Sequence, residues 1–418
     1  MSFSKWKIKR LDEITKVIDS LHKTPKYIES GYPMIRVKDL EKGYLKFNNP
    51  AYVSEDIFKE FNKKHQPKLG DILMSRVGSY GIVTYVNTNR DFCLGQNTVV
   101  ITEYSLDIDS KFLYYILTSN IISEQIEKLV TGSTQKTISM SSIKSLMISC
   151  PKLEEQKAIA KILSDLDEKI EVNNKINKNL EEMAQAIFKQ WFVDFEFPNE
   201  EGKPYKSSGG EMVESELGMI PKGWKIKNIT ELVDSISIKH KFDKEKVIFL
   251  NTSDILEGKF LNKEYSEISN LPGQAKKSIS KDDILYSEIR PKNKRFAYVN
   301  FDSEDYVVST KLMVLRSKNL KYSQVIYYLL TGKEFVEKIN ILAESRSGTF
   351  PQITFSTLKS ITLAFPEESR FNLDIFKNIL DKFYDLANEN EKLEKLRDTL
   401  LPKLMSGEIR VPLENSED

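Results

Sequence analysis

Along two stretches of this chain, apolar residues recur at alternating steps of four and three. The first, 151–197, carries Ile159, Leu163, Leu166 and Ile170, then Leu180, Ala184, Ile187 and Trp191 on one stripe. Pro151 suits a helix start, Glu154 and Glu155 sit near the positive end of the helix dipole, and no Gly or Pro interrupts the stretch until Pro198. Asn173 and Asn177 fall where two seam residues are due, with Ile176 beside the second. The second stretch, 373–405, repeats the steps with Phe376, Ile379, Phe383, Leu386, Asn390, Leu393, Arg397, Leu400 and Leu404. A narrow apolar stripe needs a partner helix, and a polar seam residue costs stability while fixing register. The pattern predicts two long helices paired as a coiled coil; the alternative is that each packs on its own domain.

Shorter patterns recur between these stretches. Trp6-Lys7-Ile8-Lys9 returns as Trp224-Lys225-Ile226-Lys227, and Asp71-Ile72-Leu73-Met74-Ser75 as Asp283-Ile284-Leu285-Tyr286-Ser287. Ile143-Lys144-Ser145 returns as Leu358-Lys359-Ser360, and Pro151 as Pro366, in the same order. The chain therefore reads as one unit repeated, each copy ending in a long helix. Strands are expected at 81–86, 98–102, 306–309 and 311–315, and helices at 110–128 and 323–341. The expected fold class is α+β: two similar α/β modules with mostly antiparallel sheets, separated by an antiparallel coiled coil, with a pseudo-two-fold internal repeat. The expected divisions are a first module at 1–150, the first long helix at 151–197, a Gly-, Pro- and Ser-containing connector at 198–220, a second module at 221–366, the second long helix at 367–410, and an acidic tail at 411–418.

Composition narrows the chemistry. The 418 residues include 62 Lys and Arg against 61 Asp and Glu, a net charge of +1, so any basic surface is local. Cys93 and Cys150 make no disulfide framework, and a reducing cytoplasm is the expected location. The first residues lack the apolar core of a signal peptide, and no apolar run approaches the ~18 residues of a membrane span. His22, His65 and His240 are scattered and no phosphate-binding Gly-rich loop is present, so neither a metal nor a cofactor is expected. Asn49-Pro50-Ala51-Tyr52 is one residue away from the Asn-Pro-Pro-Tyr/Phe motif of amino-methyltransferases. Without the second Pro and a cofactor site, it reads as a turn.

Two similar readers in a two-fold arrangement match the symmetry of DNA half-sites. At this point the residues resemble a known family, the specificity subunits of Type I restriction–modification systems. The resemblance covers nearly the whole length. It rests on Gly132-Ser133-Thr134-Gln135-Lys136-Thr137-Ile138 with Ile143, Ile148 and Pro151, and on Glu155-Gln156, Leu166-Asp167 and Ile170 in the first long helix. Trp191-Phe192-Val193-Asp194-Phe195, Glu214-Ser215-Glu216-Leu217-Gly218 and Ile220-Pro221-Lys222-Gly223-Trp224 follow, and the match closes with 400–409, LLPKLMSGEI. The second helix departs at its entry, with Glu368-Ser369 in place of a Glu-Gln pair. The resemblance implies two target-recognition domains, each reading half of a bipartite double-stranded DNA site, with the coil setting the unread spacer. It implies two methyltransferase subunits as partners, joined by restriction (endonuclease and translocase) subunits, and no catalysis by the chain itself. A paired-module protein scaffold that never reads DNA, and a self-contained methyltransferase, are the rival readings.

Base edges are read by Arg, Lys, Asn and Gln, and phosphates are held by Lys, Arg, Ser, Thr and backbone amides. In the first module the candidates are Arg76, Ser79 and Tyr80 in a loop with two glycines, then Gln96 and Asn97, with Lys136 in a second polar loop. In the second they are Arg290, Lys292, Lys294 and Arg295, four cations expected to need an anion nearby, followed by Arg346, Ser347 and Thr349. Ordinary turns and caps are the alternative for all of these loops. The runs Lys59, Lys63, Lys64, Lys68 and Lys239, Lys241, Lys244 read as solvated faces or phosphate contacts. Trp191, Phe192 and Phe195 are either exposed anchors for a partner or a buried join to the second module.

Overall fold

The computed structural model describes residues 6–132, 136–346, 349–369 and 371–411, without the side chain of Arg346. The chain divides into two units: residues up to Val172 together with those from Asn390, and Asn173–Glu389. Both division points fall inside the long helices, so each unit takes in part of both.

In unit 1 a five-stranded sheet runs in the order Lys16–Asp19, Thr98–Thr102, Ile72–Ser75, Val83–Tyr85, Gly43–Tyr44. Its two central strands are buried along their whole length, which is why they read as runs of Val, Ile, Leu and Thr rather than as an alternation. A smaller sheet places Tyr32–Ile35 between Ala51–Val53 and Cys93–Leu94. Two pairings are parallel, Tyr32–Ile35 with Cys93–Leu94 and Gly43–Tyr44 with Val83–Tyr85; the others in these sheets are antiparallel. The expected helix at 110–128 is two helices, Ser110–Thr118 and Asn120–Leu129. Ser119 between them is extended, its hydroxyl donating to the Ile116 carbonyl at 2.6 Å. Asn49-Pro50 forms the turn before a strand, with Asn49 left-handed (φ 52°).

Unit 2 repeats the core of this frame, with four strands in each of its two main sheets. Its sheets run Val233–Ile236, Leu312–Ser317, Asp283–Ser287, Phe296–Tyr298, and Tyr265–Glu267, Lys246–Leu250, Tyr306–Ser309, Ala275–Ser278. Ser287 faces Leu312 as Ser75 faces Thr98, and Lys225 faces Phe365 as Lys7 faces Cys150. Asp71, immediately before its strand, and Asp283, at the start of its own, hold equivalent places. Each accepts the backbone N–H three residues before it, from Lys68 at 3.0 Å and Ser280 at 2.8 Å. The expected helix at 323–341 is also broken, at Gly332, into Ser323–Thr331 and Lys333–Arg346. Part of the connector is a hairpin, Met212–Ser215 against Gly218–Pro221.

The first long helix spans Leu153–Phe188 and continues as a π-helical turn, Lys189–Val193, ending before Phe195 at φ 63°. The second spans Asp374–Ser406. The two run antiparallel within both units. In unit 1, Asp167 Oδ1 accepts from Arg397 Nη1 at 2.8 Å, and Ile159 and Leu163 share a core with Leu404 and Met405. In unit 2, Asn173 Nδ2 donates to Glu389 Oε2 at 2.9 Å and Asn177 Nδ2 to the Phe383 carbonyl at 3.2 Å. Asn173, Asn177 and Asn390 are buried, as are Ile170, Ile379, Phe383 and Leu386; Leu166, Leu180, Ile187, Leu393 and Leu400 are half-buried. Phe192 is buried against Trp224, Phe365 and Phe371, and Trp191 packs edge-on to Phe371 and Phe376. These aromatics join the helix to unit 2 rather than standing free. Among the described residues, no helix is long and apolar enough to cross a membrane.

Candidate nucleic-acid interface

In each unit the chain leaves a buried central strand at a serine and turns back into the next strand. The return is closed by backbone pairs, Ser75 N–H to the Ile82 carbonyl at 3.0 Å and Ser287 N–H to the Arg295 carbonyl at 2.8 Å. The first residue of the loop donates to a carbonyl at the start of a neighbouring strand: Arg76 N–H to Asn97 at 2.9 Å, Glu288 N–H to Lys311 at 3.0 Å. The loop is then pinned to a second one. Gly78 N–H donates to the Lys136 carbonyl at 3.1 Å, and Ile138 N–H to the Arg76 carbonyl at 3.0 Å. In unit 2, Arg290 N–H donates to the Pro351 carbonyl at 3.0 Å, and Ile353 N–H to the Glu288 carbonyl at 2.8 Å. The two polar loops expected separately in the sequence are thus one platform in each unit.

The side chains on the unit 1 platform differ in their freedom. Arg76 turns inward: its Nη1 lies 2.5 Å from Asp19 Oδ2 and its Nε donates to the Ile138 carbonyl at 3.3 Å. Ser79 is exposed and its carbonyl accepts from the Ser75 hydroxyl. Tyr80 donates from its hydroxyl to Glu127 Oε1 at 2.7 Å, and Lys136 Nζ lies over its ring, 5.8 Å from the centroid. Gln96 is exposed, and Asn97 is half-buried and left-handed at φ 66°.

In unit 2, Lys294 Nζ is 2.8 Å from Glu257 Oε1, Lys292 Nζ is 3.7 Å from Glu344 Oε1, and Arg295 Nη1 donates to the carbonyls of Ser253 and Ile255 at 2.9 and 3.0 Å. Three of the four cations expected to need an external anion therefore have acceptors within the protein. Arg290 is exposed, and among the described residues its guanidinium has no hydrogen-bond or ionic partner. Thr349 is exposed; Ser347 and the side chain of Arg346 lie outside the described residues. Of the lysine runs, Lys59 pairs with Glu55 at 2.6 Å and Lys244 with Asp305, while Lys239 and Lys241 are exposed.

Sequence reasoning missed one feature of unit 1. Lys23, Tyr27, Arg36 and Lys38 converge on Gln96 and Asn97 around a cleft of about 250 Å³. The Arg36 guanidinium lies 5.8 Å from the Tyr27 ring centroid and forks onto Asp39 at 2.7 and 3.0 Å. No spacing in the sequence signals this meeting, because a parallel strand pair brings 35 beside 94. Unit 2 has a counterpart. Lys277, half-buried, donates Nζ to the carbonyls of Thr310 and Leu312 at 3.1 and 2.8 Å, and burial lowers its pKa. Exposed Lys239, Lys241 and Lys276 flank it, with Lys239 bridging Lys277 through the backbone. Among the described residues, no cluster of three or more His, Cys, Asp or Glu side chains could hold a metal ion.

Residues 4–182 and 221–397 each match the family model described as the Type I restriction modification DNA specificity domain. The chain belongs to the Type I restriction–modification specificity family. It is a specificity subunit with two target-recognition domains and a helical linker. The HindI specificity subunit of Haemophilus influenzae is 42% identical over 181 residues, 42% of this chain and 39% of that one. The MjaIX specificity subunit of Methanocaldococcus jannaschii is 27% identical over 427 residues, covering 97% and 94% of the two chains. In fold, the chain is similar to the crystal structure of the Type-I restriction-modification system S subunit from M. genitalium, with a TM-score of 0.56 over 96% of each chain at 17% identity.

Proposed function

We propose that this specificity subunit reads a bipartite double-stranded DNA site, one half per unit, and delivers it to partner subunits that carry out the chemistry. The observation that carries this reading is the repeated platform: two loops pinned together at equivalent hydrogen bonds in both units, presenting polar side chains from different sequences. A shared frame with divergent loop residues is what two readers of unlike half-sites require. Base contacts come from the platform loops and from Gln96, Asn97 and the cleft around Tyr27. Phosphate contacts come from the exposed lysines beside them. The long helices set the unread spacer. The partners are two methyltransferase subunits, which modify adenine, and restriction subunits; the chain itself is not catalytic, and it works in the cytoplasm. With a net charge of +1, the isolated chain binds DNA weakly at physiological salt, because affinity follows the number of phosphates neutralised.

The test is a map of methylated adenines across the genome of a cell with and without the chain. A split motif of two short halves that vanishes on deletion is the expected result. An unchanged map, in cells where the chain pulls down an active methyltransferase, overturns DNA reading and leaves a protein scaffold.

A further inference from the structure

The two platform loops are pinned at equivalent points, but the loop of unit 2 is one residue longer, Glu288–Lys294 against Arg76–Gly81. Left-handed conformation is needed at two points of each loop. In unit 1 both points are glycines, Gly78 at φ 72° and Gly81 at φ 73°. Position 78 corresponds to 290, because both donate their N–H to the pinning loop, and 81 to 294, because each precedes the residue that closes the loop. At those points unit 2 has Arg290 at φ 46° and Lys294 at φ 52°. Glycine takes this conformation without penalty, whereas a residue with a Cβ is strained there. Unit 1 meets the two corresponding points without a side chain. Lys294 finds a use inside the protein, against Glu257. Arg290 does not: its side chain is exposed and without a partner among the described residues. Pro291 follows it and disfavours the right-handed conformation at position 290. Strain borne by an exposed arginine whose guanidinium has no partner among the described residues points to a function for the side chain.

The neighbours define the ligand. Gln352, bridged through the backbone to Ile289, donates Nε2 to Glu288 Oε2 at 3.2 Å, and Lys311 Nζ lies 4.0 Å from the same oxygen. A carboxylate beside the loop disfavours a phosphate there. Arg, Gln and Glu together are the side chains that pair with guanine, adenine and the cytosine amino group in the major groove. We infer that Arg290 is a specificity-determining residue that reads a guanine edge in the half-site taken by unit 2. This rests on the reading of the chain as a DNA reader.

The test uses the full chain expressed with its methyltransferase in a host that lacks adenine methylation, as wild type, Arg290→Gly and Arg290→Lys. In the wild type a split motif is expected. Arg290→Gly is expected to relax one G·C position of one half, with discrimination there falling about 10- to 100-fold, and to leave the other half and the spacer unchanged. Arg290→Lys is expected to relax the same position, since a lysine cannot fork onto guanine. The purified Arg290→Gly chain is expected to melt about 1–3 °C higher than wild type, because strain is released. Uniform loss of methylation with an intact motif, rescued by Arg290→Lys, identifies a phosphate contact and overturns the inference. So does relaxation at an A·T position, an unchanged motif, or a lower melting temperature for Arg290→Gly. Absence of any split motif in the wild type overturns the DNA-reading function itself.

Discussion

Asp167 and Arg397, 230 positions apart, meet across the two long helices at 2.8 Å, and the hydroxyl of Tyr115 donates to the other Asp167 oxygen at 2.7 Å. The contact ties the helix pair to the helix Ser110–Thr118 of unit 1. With side-chain exposures of 13% for Asp167 and 29% for Arg397, the pair is shielded enough to matter but not fully desolvated. Asp167→Ala leaves Arg397 and the Tyr115 hydroxyl short of an acceptor and is expected to cost about 2 kcal/mol in urea unfolding. The double variant Asp167→Ala, Arg397→Ala should recover part of that loss. A double-variant loss equal to the sum of the two single-variant losses would show that the pair is idle.

Arg76 is expected to matter for stability. Its guanidinium serves Asp19, whose other oxygen is buried without a hydrogen bond among the described residues. Arg76→Ala leaves that carboxylate with His22 alone, at 2.9 Å, removes the donor to the Ile138 carbonyl, and is expected to cost about 2 kcal/mol. A melting temperature within error of wild type would place the arginine's role elsewhere.

Glu181 gives unit 2 a pH dependence of defined sign. Burial holds its carboxyl above the usual carboxylate range, a hydrogen bond from Gln185 opposes this, and nearby Glu257 adds to it. The folded state then binds a proton more readily than the unfolded chain. That stabilisation is fully present below the ordinary value of 4.5 and is lost as pH rises through the raised one. Glu181→Gln is expected to gain stability relative to wild type as pH rises from about 4 to about 8. A pH-independent difference in urea midpoints would refute this assignment.

Inserting a matched heptad into both long helices keeps the seam in phase and adds about 10 Å of rise. The expected outcome is a longer unread spacer in the methylation motif with both half-sites unchanged. Altered half-sites would mean that the helices do not measure the spacer.

The long helices were legible because their pattern is local and repeated: Asn173, Asn177 and Asn390 could be placed in the seam from spacing alone, and all three are buried. The repeat was legible for the same reason. Helix breaks were harder. Gly332 is visible as a breaker, but Ser119 breaks its helix by bonding back to Ile116, a local choice that apolar periodicity does not register. The loops could be read from the sequence, but the partners of their side chains could not. Arg76 meets Asp19 across 57 positions, and Tyr27 meets Gln96 around a cleft framed by a parallel strand pair. Such meetings depend on topology, and spacing carries no record of them.

The division of the chain has a consequence for its synthesis. Unit 2 is one continuous run, Asn173–Glu389, so a ribosome that has released residue 389 has supplied all of it. Unit 1 is interrupted. Leu404 and Met405 complete the core around Ile159 and Leu163, Arg410 stacks 5.0 Å from the Trp6 ring centroid, and Glu155 accepts from Arg410 at 2.7 Å. The face of Ile159 and Leu163 that Leu404 and Met405 cover therefore stays uncovered while the whole of the other unit is being made. Closing so long a loop is slow. The N-terminal domain, usually the first to fold, here waits for the last residues of the chain to cover this seam.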